Sequence, residues 1–243
     1  MAFIAAGNTD VGLVRKENQD NYLILPEERV FAVADGMGGH AGGRLASAIA
    51  VDVLEACLKG LPKIDRAAVD DALNLANEKI LRTGREKRMK GMGTTLVLAY
   101  FDEDAASWQV THIGDSRAYV INPKGEIYSL TRDHSLVGEL LAQGSITAQE
   151  AKNHPHRHIL TRALGMAGGP GGEWSQVPAA EAPRLLLCTD GLYNMVEAEE
   201  IRRLADGKEK TAAEKAAAMI GAAKAGGGLD NITVILIEEE GRA

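Results

Sequence analysis

The sequence predicts an α+β fold in which two antiparallel sheets pack face to face and helix pairs cover their outer faces. Two observations predict the layers. Strand-like and helix-like stretches follow the order strands, two helices, strands, two helices, strand, and such elements bury their apolar faces by stacking. Strand-like runs at about 94–101, 107–114, 117–122 and 126–130 succeed one another at hairpin spacing, which makes a meander and hence antiparallel pairing. A third observation says where function lies. Asp35, Asp115 and Asp190 close apolar runs, whereas Asp20 and Asp230 open them. In an antiparallel sheet the end of one strand lies beside the start of its neighbour. All five acids can therefore share one rim.

In order along the chain, residues 2–8 and 21–35 read as strands, joined through the polar loop Arg15-Lys16-Glu17-Asn18-Gln19-Asp20. The second run stops at Asp35-Gly36-Met37-Gly38-Gly39-His40, whose glycines mark a sharp exit from the sheet. Residues 44–58 carry Leu45, Ala48, Ile49, Val53, Ala56 and Cys57 near helical spacing, and 66–86 repeat the pattern with Val69, Leu73, Ala76 and Ile80. Pro123-Lys124-Gly125 turns the third strand of the meander into the fourth. From 133 to 165 the pattern breaks. Ser135 to Gln143 predicts one short helix, and the capping box Thr147-Ala148-Gln149-Glu150 starts another. The irregular insert at about 138–160 is placed as a lid over a site. Residues 165–183 read as a loop with one edge strand. Strand 184–189, helices at 197–205 and 211–224, and a last strand at 231–238 follow. No repeat or interdomain linker interrupts the pattern, so residues 1–243 read as a single domain.

The length suffices for one large domain with a sizeable core. With 34 acidic against 27 basic residues and a formal charge of -7, nonspecific binding to nucleic acid or an acidic membrane is disfavoured. No apolar run approaches a membrane span. Residues 1–8 lack the basic and long apolar regions of a signal peptide. Cys57 and Cys188 sit in apolar patterns and read as buried small hydrophobes in a reducing cytoplasm. Neither has the basic sequence neighbour that a catalytic thiol needs. The expected setting is cytoplasmic and the expected state a monomer.

Five carboxylates on one rim repel unless cations neutralise them. Hard oxygen ligands on a rigid scaffold suit Mg²⁺ or Mn²⁺. Taken singly, each aspartate also reads as an ordinary turn residue. His154, His156 and His158 are spaced by two around Pro155, a poor geometry for one zinc site, and read as structural or surface residues. His134 reads as a backbone-bonding residue near the site. Gly36-Met37-Gly38-Gly39 lacks the Gly-Lys-Ser/Thr that a nucleotide phosphate loop requires.

Eight motifs in series carry a resemblance. They are Arg15-x-x-Asn18-Gln19-Asp20, Ala34-Asp35-Gly36-Met37-Gly38-Gly39-His40, Gly93-Thr94-Thr95, His112-Ile113-Gly114-Asp115-Ser116-Arg117, Asp133-His134-Ser135, Leu160-Thr161-Arg162-Ala163-Leu164-Gly165, Cys188-Thr189-Asp190-Gly191-Leu192 and Gly228-Leu229-Asp230-Asn231-Ile232-Thr233. In this order they resemble the compact bacterial form of the metal-dependent PP2C (PPM) serine/threonine protein phosphatases. The resemblance covers nearly the whole chain. It implies a four-layer α-β-β-α sandwich and hydrolysis of phosphoserine and phosphothreonine by a metal-bridging water, without a covalent phosphoenzyme.

The resemblance also implies roles for residues. Asp35 would bridge two ions, Mn²⁺ or Mg²⁺, with the Gly36 carbonyl assisting at one. Asp190 and Asp230 would hold the second, and Asp20 would bind through water. Asp115 and Asp190 would take a third, weaker ion, and Arg15 would hold the substrate phosphate. The family's proton donor is a histidine directly after Asp-Gly. Here Met37 takes that place and His40-Ala41-Gly42 follows three residues later. His40 is either that acid or only a cap on the following helix. Phosphoprotein substrates and an opposing serine/threonine kinase are the implied partners. Arg44, Leu229 and the Gly-rich stretch 165–183 depart from the usual pattern without touching a presumed ligand. The alternative to an enzyme is a catalytically weak binding relative, yet every acid of the set is present. A nuclease is disfavoured by the negative charge.

Overall fold

The computed structural model describes residues 1–207 and 210–241; within them the side chain of His40 lies outside the described residues. In chain order the elements are β1 (Phe3–Asp10), β2 (Asp20–Leu25), β3 (Val30–Met37), α1 (His40–Leu58), α2 (Arg66–Glu86), β4 (Gly93–Thr94), β5 (Leu96–Asp102), β6 (Ser107–Ile113), β7 (Arg117–Ile121) and β8 (Ile127–Ser129). Then come α3 (Leu136–Ala142), α4 (Ala148–Lys152), β9 (Glu173–Pro178), β10 (Arg184–Cys188), α5 (Asp190–Tyr193), α6 (Ala198–Ala205), α7 (Ala212–Ala225) and β11 (Ile232–Glu239). One sheet has the order β1-β11-β10-β7-β8 and the other β2-β3-β5-β6-β9, with β4 pairing β3. Every strand pair is antiparallel.

Alternation along the strands sorts the side chains into three apolar layers. Val30, Ala32 and Ala34 of β3 face α1 and α2, where Leu54, Leu58, Leu73 and Ile80 are buried. Phe31 and Val33 of the same strand face the opposite sheet and meet Leu185, Leu187, Ile235 and Ile237. Leu186, Cys188, Val234 and Leu236 turn the other way and pack on α5, α6 and α7. Period-two alternation in strands buried on both faces is what an α-β-β-α sandwich requires. Trp108 sits between the sheets, with its ring 4.7 Å from Phe3, 5.4 Å from Phe101 and 5.9 Å from Phe31.

Three boundaries differ from the sequence expectation. The run 21–35 is a hairpin of β2 and β3. Its turn is supplied by Pro26 and by Arg29 in the left-handed region at φ 54°, and no glycine advertises it. The strand expected at 94–101 is broken at Thr95 into β4 and β5, because β4 turns to pair with the end of β3. The first helix begins at His40, not at 44. Gly42 and Gly43 look like breakers, yet they lie inside α1 because backbone packs on backbone there. A Cβ on Gly43 would lie 2.5 Å from the Gly36 carbonyl oxygen and 2.6 Å from Gln19 Oε1. Gly43→Ala is therefore expected to cost about 3 kcal/mol through overpacking, lowering Tm by roughly 6–12 °C. Unchanged melting in a thermal scan would show that α1 can slide away from β3 freely.

Candidate metal centre and active site

The topology gathers the five aspartates as antiparallel pairing demands. Asp20 opens β2 directly opposite Asp35 near the end of β3. Asp115 follows β6, Asp190 follows β10 and opens α5, and Asp230 lies two residues before β11. Asp35 is held through its backbone. Its N–H donates to Thr95 Oγ1 at 3.1 Å, and its carbonyl accepts from the Thr95 N–H and the Thr94 hydroxyl, both at 2.8 Å. The Gly43 contact fixes the adjoining Gly36 peptide.

The carboxylates feel one another strongly. Burial raises the Asp35 carboxyl well above the usual range, and the charges of Asp20, Asp190, Asp115 and Asp230 raise it further. Asp190 is raised well above that range by burial, then by Asp115, Asp230 and Asp20. Asp20 is pushed up to about 6 by burial, against the opposing pull of two hydroxyls. Asp115 is pushed up to about 7 by burial and by Asp133. Clusters of mutually repelling acids in a cleft are a mark of functional sites.

Two of these carboxylates are incompletely satisfied. Asp20 Oδ2 accepts from Thr233 Oγ1 at 2.7 Å and from Thr189 Oγ1 at 2.9 Å, and Asp190 Oδ2 accepts from Asn194 at 3.1 Å. Asp20 Oδ1 and Asp190 Oδ1 are buried with no hydrogen-bond partner, an expensive state that a cation would relieve. Among the described residues, no three His, Cys, Asp or Glu side chains converge into a complete cage for one ion. Ions of the Mg²⁺ kind keep several waters and take only one or two carboxylates each. Hard donors spread along a rim fit such ions; an all-protein cage is not needed.

The structure brings Arg15 to the same rim. Its Nη2 donates to Asp230 Oδ2 at 2.6 Å, while more than half of the side chain stays exposed. The loop carrying it is fastened by Asn231, whose Nδ2 donates to the carbonyls of Val11 and Glu17 at 3.0 Å and whose Oδ1 accepts from the Gln19 N–H at 2.9 Å. His40 begins α1 beside the rim; its expected role as proton donor lies outside the described residues.

Several supporting residues escape the sequence pattern. Thr189 and Thr233 aim Asp20, although 169 and 213 positions separate them from it. Arg117 grips Asp133 at 2.8 and 2.7 Å, lies 3.6 Å over the Tyr193 ring, and so sets Tyr193 to donate to the Asp115 carbonyl at 2.9 Å. His134 bonds backbone near the site as expected. Its Nδ1 accepts from the Gly114 N–H at 3.2 Å, and its ring stacks on His112 at 4.4 Å. Cys188 is buried and its thiol is pushed up to about 12, chiefly by that burial, so it is no nucleophile at neutral pH. His154, His156 and His158 are exposed or nearly so on the insert and away from the aspartates' hydrogen bonds.

Antiparallel pairing thus delivers five aspartates and one forked cation to a common rim, a donor set that suits hard divalent ions. The protein phosphatase 2C family model matches residues 14–222, and the chain belongs to that family. It is 38% identical over 241 residues to the serine/threonine phosphatase stp of Listeria monocytogenes, covering 96% of this chain and 94% of that one. Stp1 of Staphylococcus aureus, a serine/threonine phosphatase, superposes with a TM-score of 0.91 at 32% identity, over 99% of this chain and 96% of its own. The catalytic domain of the serine threonine protein phosphatase PstP, solved with two manganese ions, superposes at 0.85 with 34% identity, over 97% of both chains.

Proposed function

We propose that this chain is a metal-dependent protein phosphatase for phosphoserine and phosphothreonine, with its centre at the aspartate rim. The observation that carries the reading is the pair of orphaned carboxylate oxygens, Asp20 Oδ1 and Asp190 Oδ1, inside a cluster of five repelling acids. The names of the relatives support the substrate class, and the manganese-bound PstP domain supports two ions. Bound at the rim, divalent ions supply polarisation of the phosphoryl group and a nucleophile at neutral pH.

The residues of the chain do the rest. Asp35, with the Gly36 carbonyl beside it, would hold both ions; Asp190 and Asp230 would hold the second, Asp20 would bind through water, and Asp115 with Asp190 would take a third, weaker ion. Thr94 and Thr95 hold the Asp35 peptide still, and phosphoryl transfer depends mainly on such positioning and charge. Arg15 leaves Asp230 to clamp the phosphate with its planar fork. The insert of α3 and α4 gates access. Its two ends are joined by the Leu136 N–H donating to the Ile159 carbonyl at 2.9 Å, and the exposed Lys152–Glu197 pair ties it to the body. The fold works as one domain and a monomer, opposing a serine/threonine kinase in the cytoplasm. The two free thiols suit a reducing compartment.

The test is phosphopeptide hydrolysis by chelated protein against added Mn²⁺. Activity should be absent in EDTA and return with Mn²⁺; full activity in EDTA would end the reading. Arg15→Ala should lower kcat/KM by roughly 10–100-fold, the worth of one bidentate charge-assisted contact. A rise in KM alone would mean that ground and transition states are held equally. An unchanged kcat/KM would leave Arg15 as a loop residue.

A further inference from the structure

Single exposed apolar side chains are ordinary on a protein surface; a contiguous group on a fixed platform is not. Leu13, Val14 and Leu229 are 62%, 61% and 54% exposed. They lie on the two loops that carry Arg15 and Asp230. These loops are fastened together, with the Leu13 N–H donating to the Gly228 carbonyl at 2.8 Å. Gly12 has φ 78°, and a Cβ there would come within 2.2 Å of the Asp230 carbonyl oxygen, so only glycine permits the approach. The side chains follow the backbones. Leu13 Cγ lies 2.9 Å from where a Cβ of Gly228 would stand, and Leu229 Cγ and Met195 Sδ lie 3.7 and 3.6 Å from that point on Gly227. Leu13 beside Gly228, and Leu229 with the half-buried Met195 beside Gly227, thus flank one Gly-Gly turn as an apolar shelf, and Val14 links it in sequence to Arg15.

We propose that this shelf receives an apolar side chain of the substrate within two residues of the phosphoserine or phosphothreonine. The inference rests on the phosphatase reading, with Arg15 as the phosphate contact. Continuity with the phosphate clamp selects the occupant. Val14 directly precedes Arg15, and Leu229 directly precedes Asp230, the partner of Arg15. An extended peptide advances at most about 3.3–3.6 Å per residue. A peptide whose phosphate is gripped by Arg15 therefore lays its nearest neighbours over the shelf. Acidic neighbours are disfavoured by the apolar surface, which would strip water from their charge.

The test uses the full chain loaded with Mn²⁺ and phosphothreonine peptides identical except for Leu, Ala or Asp beside the phosphoresidue. Each kcat/KM is divided by that for p-nitrophenyl phosphate, which has no flanking residue. The Leu peptide should exceed the Ala peptide by about three- to tenfold. Leu13→Asp and Leu229→Asp should each bring that ratio close to one, whereas Leu229→Met should keep it. Thermal melting of each variant confirms a folded protein. Equal rates on all peptides, or a preference that survives both aspartate variants, would overturn the inference. So would an unchanged preference together with a dimer, seen by sedimentation, that the aspartate variants dissociate; the shelf would then belong to a second copy. Failure of Mn²⁺ to support p-nitrophenyl phosphate hydrolysis would overturn the phosphatase reading itself, and the inference with it.

Discussion

Asp35→Asn is expected to lower phosphopeptide hydrolysis by at least about 10³-fold, some 4 kcal/mol of transition-state stabilisation, at any Mn²⁺ concentration reached in solution. It should also make the chelated protein harder to melt. Both effects have one cause. Asp35 is the acid on which four other carboxylates press, so it is the position best placed to serve two ions. Removing its charge weakens both ion positions together. Without metal the same charge is a liability, since the folded state must hold it among like charges in a buried setting. Asparagine keeps the shape, drops the charge and can donate to the unpaired Asp20 Oδ1. Relief of about 1–1.5 kcal/mol should raise Tm in EDTA by roughly 2–6 °C. Mn²⁺ should raise the Tm of the wild type by binding only the folded state, and should do little for the variant. Scanning fluorimetry with and without EDTA, beside the peptide assay, measures all of this. Full rescue of the variant by high Mn²⁺ would show that Asp35 serves one ion only. A lower Tm in EDTA would show that the cluster is not under repulsion.

The layers were legible from the order of strands and helices and from the hairpin spacing of the meander, not from alternation, since a strand buried on both faces reads as one apolar run. The odd and even residues of 30–34 supply two different cores. The hairpin inside 21–35 was not legible, since Arg29 takes a left-handed conformation that glycine or asparagine would have announced. The start of α1 was hidden for the opposite reason. Gly42 and Gly43 look like helix breakers, but they are there for the close approach of α1 to β3. At the site, the aspartates showed themselves as charges at strand boundaries. Their supports did not, because Thr189, Thr233, Tyr193 and Arg117 become neighbours of the rim only when distant strands pair. A threonine in a β-rich sequence is ordinary, and nothing local separates one that aims a carboxylate from one that fills a sheet.

Those threonines set the other large expected effect. Thr189→Val and Thr233→Val together should raise the Mn²⁺ concentration for half-maximal activity by about 100-fold, and either alone by about 10-fold. Outer partners of ligating groups typically contribute 10–100-fold to metal affinity or activity. The two hydroxyls are the only described donors to Asp20 Oδ2, and they also tie the sheet locally, since Thr189 Oγ1 accepts from the Thr233 N–H at 3.0 Å. Valine keeps the branched shape and the packing but removes both donors. Burial would then raise the Asp20 carboxyl further, because the hydroxyls are what now pull it down. A carboxyl that holds its proton more tightly must give it up to serve a cation, so the loss should shrink as pH rises. Activity at saturating Mn²⁺ should stay within a few fold of wild type, which separates a misaimed Asp20 from a collapsed site. An unaltered Mn²⁺ requirement in the double variant would mean that Asp20 keeps its aim without them. A loss of activity that no concentration of Mn²⁺ restores would place the threonines in the chemistry itself.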